Sequence, residues 1–159
     1  MNQSAELSKH LPEGTEIRIS NYKPLEPLSA LAGTQLSVLK KSVGELRFQA
    51  LILNLLIEMK GYVKINVSED VLLNWSEMIG KDYWYLKMPE LLNVFNNGIS
   101  GKYGKIYGEL MYSDVCNWIR QYEQEKAYAL EMKVNSEKER ADNNRNSVKS
   151  LRQLLSEKK

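Results

Sequence analysis

The chain has one cysteine and one histidine in 159 residues, and these scarcities remove whole classes of chemistry. Cys116 alone cannot close an intramolecular disulfide. With His10 as the sole imidazole, no Cys/His metal site of the ordinary kind can be assembled, so no metal and no cofactor is expected. An excess of charge is also missing. Twenty-two basic residues against 20 acidic ones leave +2, too little for an overall field aimed at nucleic acid or a membrane surface. Long apolar runs are absent: the densest cluster, Ala50 to Met59, holds Asn54 and Glu58 and is too short to span a bilayer. The opening M-N-Q-S-A-E-L-S-K-H has no basic-then-apolar leader, and a cytoplasmic protein without a membrane partner is expected. Catalytic groupings are lacking too. No paired carboxylates stand at useful spacing, and His10 and Cys116 have no partner with which to build a nucleophile, so no catalytic residue is assigned and the chain is expected not to be an enzyme.

What is present is helical patterning. A hydrophobic fraction of 43% suits one domain with a modest core, and the expected fold is all-α: four or five helices over residues 25–130, an N-terminal arm over 1–24 and a polar helical or partly disordered tail over 131–159. The arm carries Pro12, Gly14 and Pro24, and only T-E-I-R-I alternates like a short strand. Leu28, Leu31, Leu36 and Leu39 predict a helix ending near Lys40 and Lys41, weakened by Gly33. Val43, Leu46, Ala50, Leu53 and Ile57 keep the 3, 4, 3, 4 spacing of one face, and Ile52, Leu55, Leu56 and Met59 widen it, which predicts the central core helix from Ser42 to Lys60, stopped by Gly61. Tyr62 to Val67 alternates briefly, as a short extended ribbon would. Ser68, with Glu69 and Asp70 behind it, reads as a helix start, and Gly80 as its stop. Pro89 presets the next helix, with Leu91, Leu92, Val94 and Phe95 on its apolar face and Asn97-Gly98 at its end. Ser113 and Asp114 open the last helix, which buries Val115, Trp118, Ile119 and Tyr122 before its apolar positions thin out. In the final stretch Val148, Leu151, Leu154 and Leu155 restore a narrow stripe, either a frayed polar tail or a helix that seeks a partner.

The most unusual chemistry is G-I-S-G-K-Y-G-K-I-Y-G, Gly98 to Gly108. A P-loop needs a glycine where Asn96 stands and a hydroxyl residue where Tyr103 follows Lys102, so the stretch is not one. Two readings stay open. Lys102, Lys105, Tyr103 and Tyr107 are residues that neutralise phosphates and stack on unpaired bases, or that contact a protein partner. Alternatively, the glycines make a compact corner, with tyrosines half buried and lysines solvated. Trp75, Trp84 and Trp118 with Tyr83, Tyr85, Tyr112 and Tyr122 likewise read either as a stacking platform or as core and core-edge residues.

The pattern Glu90-Leu91, Gly98, Gly101-Lys102-Tyr103-Gly104, then Trp118-Ile119 and Tyr122 resembles one found in small helical proteins of phages and related mobile elements. With the Trp75 helix upstream, it is similar to phage replicative helicase loaders over about residues 50 to 125. The resemblance implies a DNA-replication accessory factor that binds a replicative helicase, or a protein–DNA assembly, without chemistry of its own. Lacking a Walker sequence, the chain is similar only to the ATP-independent kind. The alternative expectation, drawn from the tail, is a structural or assembly protein that oligomerises with itself through a C-terminal coiled coil.

Overall fold

The computed structural model describes residues 17–20, 22–64 and 66–157. The protein is all-α, and among the described residues there are six helices and no strand: α1 (Pro27–Ala30), α2 (Leu36–Val43), α3 (Glu45–Val63), α4 (Glu69–Asp82), α5 (Met88–Ile99) and α6 (Tyr112–Ser156). The chain divides into two compact units, Met1–Glu123 and Gln124–Lys159. In the first, α3 packs on α2, α4 and α5, and α1 packs on α5.

Helix starts follow local chemistry. The Ser68 hydroxyl accepts the Val71 N–H at 3.4 Å, with Glu69 and Asp70 beside the positive end of α4. Pro89 lies in the first turn of α5, where Glu90 reaches back to accept the Lys87 N–H at 2.8 Å. Asp114 accepts the Met111 N–H at 2.8 Å at the head of α6.

Helix stops follow the glycines only approximately: Gly44, at φ 89°, ends α2, whereas three other helices run one or two residues past theirs. Helix α3 runs through Gly61 to Val63 and ends at Lys64, which is left-handed at φ 52°. The ribbon expected from Tyr62 to Val67 does not form among the described residues, because so short an alternation has no second strand or covered face to stabilise it. Gly80 and Gly98 also lie inside helices, and both are points of close approach. A Cβ on Gly80 would stand 2.9 Å from the Phe48 ring, and one on Gly98 would stand 2.3 Å from the Trp118 ring. The single helix expected over Leu28 to Lys41 is split in two. Between its halves the Thr34 carbonyl accepts the Met88 N–H at 2.8 Å, and Leu36 and Ser37 donate to the Leu86 and Trp84 carbonyls at 2.8 and 3.0 Å.

The core face of α3 is centred on the residues expected only to widen it, Ile52, Leu55, Leu56 and Met59, together with Phe48. Phe48, Ile52, Leu55, Leu56 and Met59 are buried, while Leu46 is 82% exposed and Ile57 38% exposed. A helix that is apolar almost all round offers two faces with the same spacing, and the one carrying Phe48 is buried.

Of the N-terminal arm, residues 1–16, with His10 and the first part of T-E-I-R-I, lie outside the described residues. The described part is tied down. Ile19 and Ser20 donate their N–H groups to the Glu58 carboxylate at 2.7 and 2.9 Å, and Ile19 and Tyr22 are buried. The Asn93 side chain pairs with both backbone groups of Leu25, at 2.9 and 3.0 Å. The core of the first unit therefore begins ahead of residue 25.

Candidate functional site

The Gly98 to Gly108 stretch is an ordered corner with an inner and an outer side. Gly101, Gly104 and Gly108 take positive φ of 81°, 106° and 77°, the conformation that turns the chain after α5. On the inner side, Tyr103 is 7% exposed, its hydroxyl accepts from the Asn97 amide at 3.1 Å, and its backbone carbonyl accepts from the Gln121 amide at 3.2 Å. Ile106 packs against the core and Leu110 is buried within it. On the outer side stand Lys102, Lys105 and Tyr107, the last 86% exposed. The Lys102 ammonium sits 5.8 Å from the centroid of the Tyr103 ring, within cation–π range. The stacking role considered for Tyr103 is corrected: a ring enclosed on this scale offers no face to a base, and Tyr107 is the ring the corner presents.

Of the pattern from Glu90 to Tyr122, Gly101, Lys102 and Gly104 are exposed, and the remaining residues are taken up by packing. Glu90 is 1% exposed, and besides capping α5 it accepts from the Tyr122 hydroxyl at 3.4 Å. Leu91, Trp118, Ile119 and Tyr122 are buried, and Gly98 makes room for Trp118.

The aromatic residues divide between core and surface. Trp75, Trp118 and Tyr122 are core, whereas Trp84 is 52% exposed, with its ring edge-on to Tyr85 at 5.9 Å. The Tyr85 hydroxyl donates to Glu123 at 2.6 Å, and partial burial followed by that carboxylate pushes its pKa up to about 12. Tyr112, ring to ring with Trp75 at 6.1 Å, donates to Asp82 at 3.2 Å, and burial holds its pKa well above the usual phenol value. That Trp84 is the exposed tryptophan of the three is not legible in the sequence, because D-Y-W-Y-L-K-M carries no periodicity that says which ring faces in.

Two shallow cavities lie beside α3. One of about 360 Å³ is bordered by the Lys40–Glu45 ion pair at 3.0 Å and the Gln49–Glu77 hydrogen bond at 3.0 Å, so these polar groups are already partnered. The other, about 630 Å³, runs between Ile17 and Arg18 and the Arg47, Ala50, Leu51 and Ile57 side of α3. Among the described residues no group of three or more His, Cys, Asp or Glu side chains converges to hold a metal, and no helix is long and apolar enough to cross a membrane.

The second unit is the remainder of α6. Every residue from Glu131 to Glu157 is exposed, including Val148 at 49%, Leu151 at 60%, Leu154 at 60% and Leu155 at 72%. On a helix Val148, Leu151 and Leu155 share one line and Leu154 stands beside it. The line reaches further back than the sequence reading had it. Ala127, Val134, Ala141, Val148 and Leu155 recur at every seventh position, joined by Leu130 and Leu151 and interrupted by Glu137 and Asn144.

Comparison with protein-family models, curated protein sequences and solved structures gives no match to this chain.

Proposed function

We propose that this protein is a non-enzymatic binding factor that recruits a protein partner through the helical segment after Glu123. The observation that carries the reading is the apolar line Ala127 to Leu155, repeated every seven residues on a helix whose side chains from Glu131 onward are all exposed. A two-in-seven apolar line has no use on a solitary helix, and it is the seam by which one helix docks on another. The Glu90 to Tyr122 pattern, similar to that of phage helicase loaders, makes a replicative helicase the partner to test first and DNA replication the process. The test sets the whole protein beside a Val148→Asp, Leu151→Asp variant, against the purified host helicase. The variant is expected to keep the melting temperature and lose the association. Equal binding by both proteins overturns the docking role of the segment.

A second reading concerns the corner after α5. Tyr107, 86% exposed and close to Lys105, is the arrangement that meets a single strand by stacking and phosphate contact, which suits a protein–DNA assembly.

A further inference from the structure

The flanks of the apolar seam are charged unevenly. In the seven-residue frame that places Ala127, Val134, Ala141, Val148 and Leu155 on one line, the two positions bordering the seam carry Lys126, Lys133, Lys138, Arg140, Arg145 and Arg152. These are six of the seven basic residues between 124 and 157, gathered into two of seven positions, where an even spread would leave about two. Glu131 is the one acid on those borders. Glu139 and Asp142 stand on the face turned away from the seam, so the helix is sorted by charge around its axis.

Border positions decide which helix docks, because they face the borders of the partner across the seam. In a parallel pair of copies of this chain, Lys126 would face Glu131, but Lys133 would face Lys138 and Arg140 would face Arg145. In an antiparallel pair, bases again meet mostly bases. Like charges at these positions oppose association. A membrane surface fits no better. Helices that lie in a bilayer interface present a wide apolar face, whereas this line is narrow, built partly of alanine, and broken by Glu137 and Asn144.

Resting on the reading of this segment as the docking element, we infer that its partner is an α-helix with a Leu- or Val-rich seam bordered by acidic side chains, and not a second copy of this chain. The polar Glu137 and Asn144 within the seam fix the register and call for polar groups opposite them.

The test uses the full-length protein and three synthetic helical peptides. The peptides match residues 127 to 155 in length and share one Leu/Val seam with polar residues opposite Glu137 and Asn144. Their borders are all Glu, all Gln or all Lys. The Glu-bordered peptide is expected to bind about tenfold more tightly than the Gln-bordered one at low salt, and the Lys-bordered one not at all, with the preference shrinking as salt is added. A variant carrying Lys133→Glu, Lys138→Glu, Arg140→Glu and Arg145→Glu is expected to reverse the order. Equal binding of the Glu and Gln peptides overturns the acidic-partner inference and leaves helix docking standing. Self-association of the free protein, seen by sedimentation and abolished by Leu151→Asp, does the same in favour of a second copy. Recovery of the protein on phosphatidylserine-containing vesicles, in place of the peptides, overturns it in favour of a lipid surface. A monomer that binds none of the three peptides overturns both the inference and the docking reading beneath it.

Discussion

Glu90 is a carboxylate with almost no exposure, and one oxygen closes the first turn of α5 while the other holds the Tyr122 hydroxyl. That one residue thereby joins the head of α5 to α6, and its neighbours show how finely such contacts are set. Gly98→Ala would drive a methyl group into the Trp118 ring, 2.3 Å from the Cβ position, and is expected to cost about 1–3 kcal/mol in urea denaturation. Gly61→Ala, inside α3 with nothing within 4 Å, is expected to stabilise by roughly 0.5–1 kcal/mol in the same assay. Alkali acts at this scale too. Burial raises Tyr22 to about 12 and Tyr85 to about 12, and also raises Tyr83, Tyr112 and Tyr122. The folded chain therefore favours the neutral phenols. Stability should be flat with respect to these groups below the usual value of 10.0 and should fall as pH rises above it, because the unfolded tyrosines ionise first. Phenolate absorbance followed together with circular dichroism checks this, and ionisation of all the tyrosines without loss of fold would contradict it. None of these pairings could be read from spacing. Glutamate at position 90 reads as a cap, and its second bond depends on a tyrosine 32 residues away.

At the scale of elements, starts marked by a capping side chain or proline are legible in the sequence, whereas the uncapped starts of α2 at Leu36 and α3 at Glu45 are not. Ser68, Pro89 and Asp114 act on their own first turns, so nearby residues suffice to place them. Gly61, Gly80 and Gly98 place three helix ends to within two residues, since the helices run on to Val63, Asp82 and Ile99, and the modest helix penalty of glycine does not fix the last residue. At Gly80 and Gly98 the missing side chain is what lets Phe48 and Trp118 approach. In α5 the expected apolar residues Leu91, Leu92, Val94 and Phe95 are all buried, but so are Glu90 and Asn93 between them, whereas α3 has two apolar sides and periodicity alone cannot choose between them. Of the candidate site, the lysines and Tyr107 lie where solvated groups belong, while of the two readings open for Tyr103 its burial fits the compact corner, with Asn97 bonding its hydroxyl and Gln121 its backbone carbonyl. Replacing Lys102 and Lys105 by alanine should barely move the melting temperature, since exposed charges add little to folding. On the nucleic-acid reading, the same change should reduce the salt slope of single-strand binding by about one to two, and Tyr107→Ala should weaken single-strand binding further without affecting duplex binding. A slope that stays the same removes the phosphate contacts from the corner.

At the scale of the whole molecule, the first unit carries the buried core and ends at Glu123. Residues 1–130 are therefore expected to fold alone, with a melting midpoint within about 2 °C of the full chain, the shift that a few tenths of a kcal/mol would produce. A large loss would show that the second unit supports the first. Helix α6 runs from Tyr112 to Ser156 without a glycine or proline, and this bears on how its outer part stays helical at all. The first turn of any helix is the unfavourable one, because several residues must be ordered before the first hydrogen bond forms. Val115, Trp118, Ile119 and Tyr122, locked in the core, supply that nucleus, and the residues after Glu123 have only to propagate it. A detached peptide of residues 124–157 must nucleate for itself and is expected to be far less helical by circular dichroism than the same residues in the intact chain. Along the attached segment, amide exchange should quicken steadily from Gln124 towards Ser156, as a helix wound from one end frays at the other.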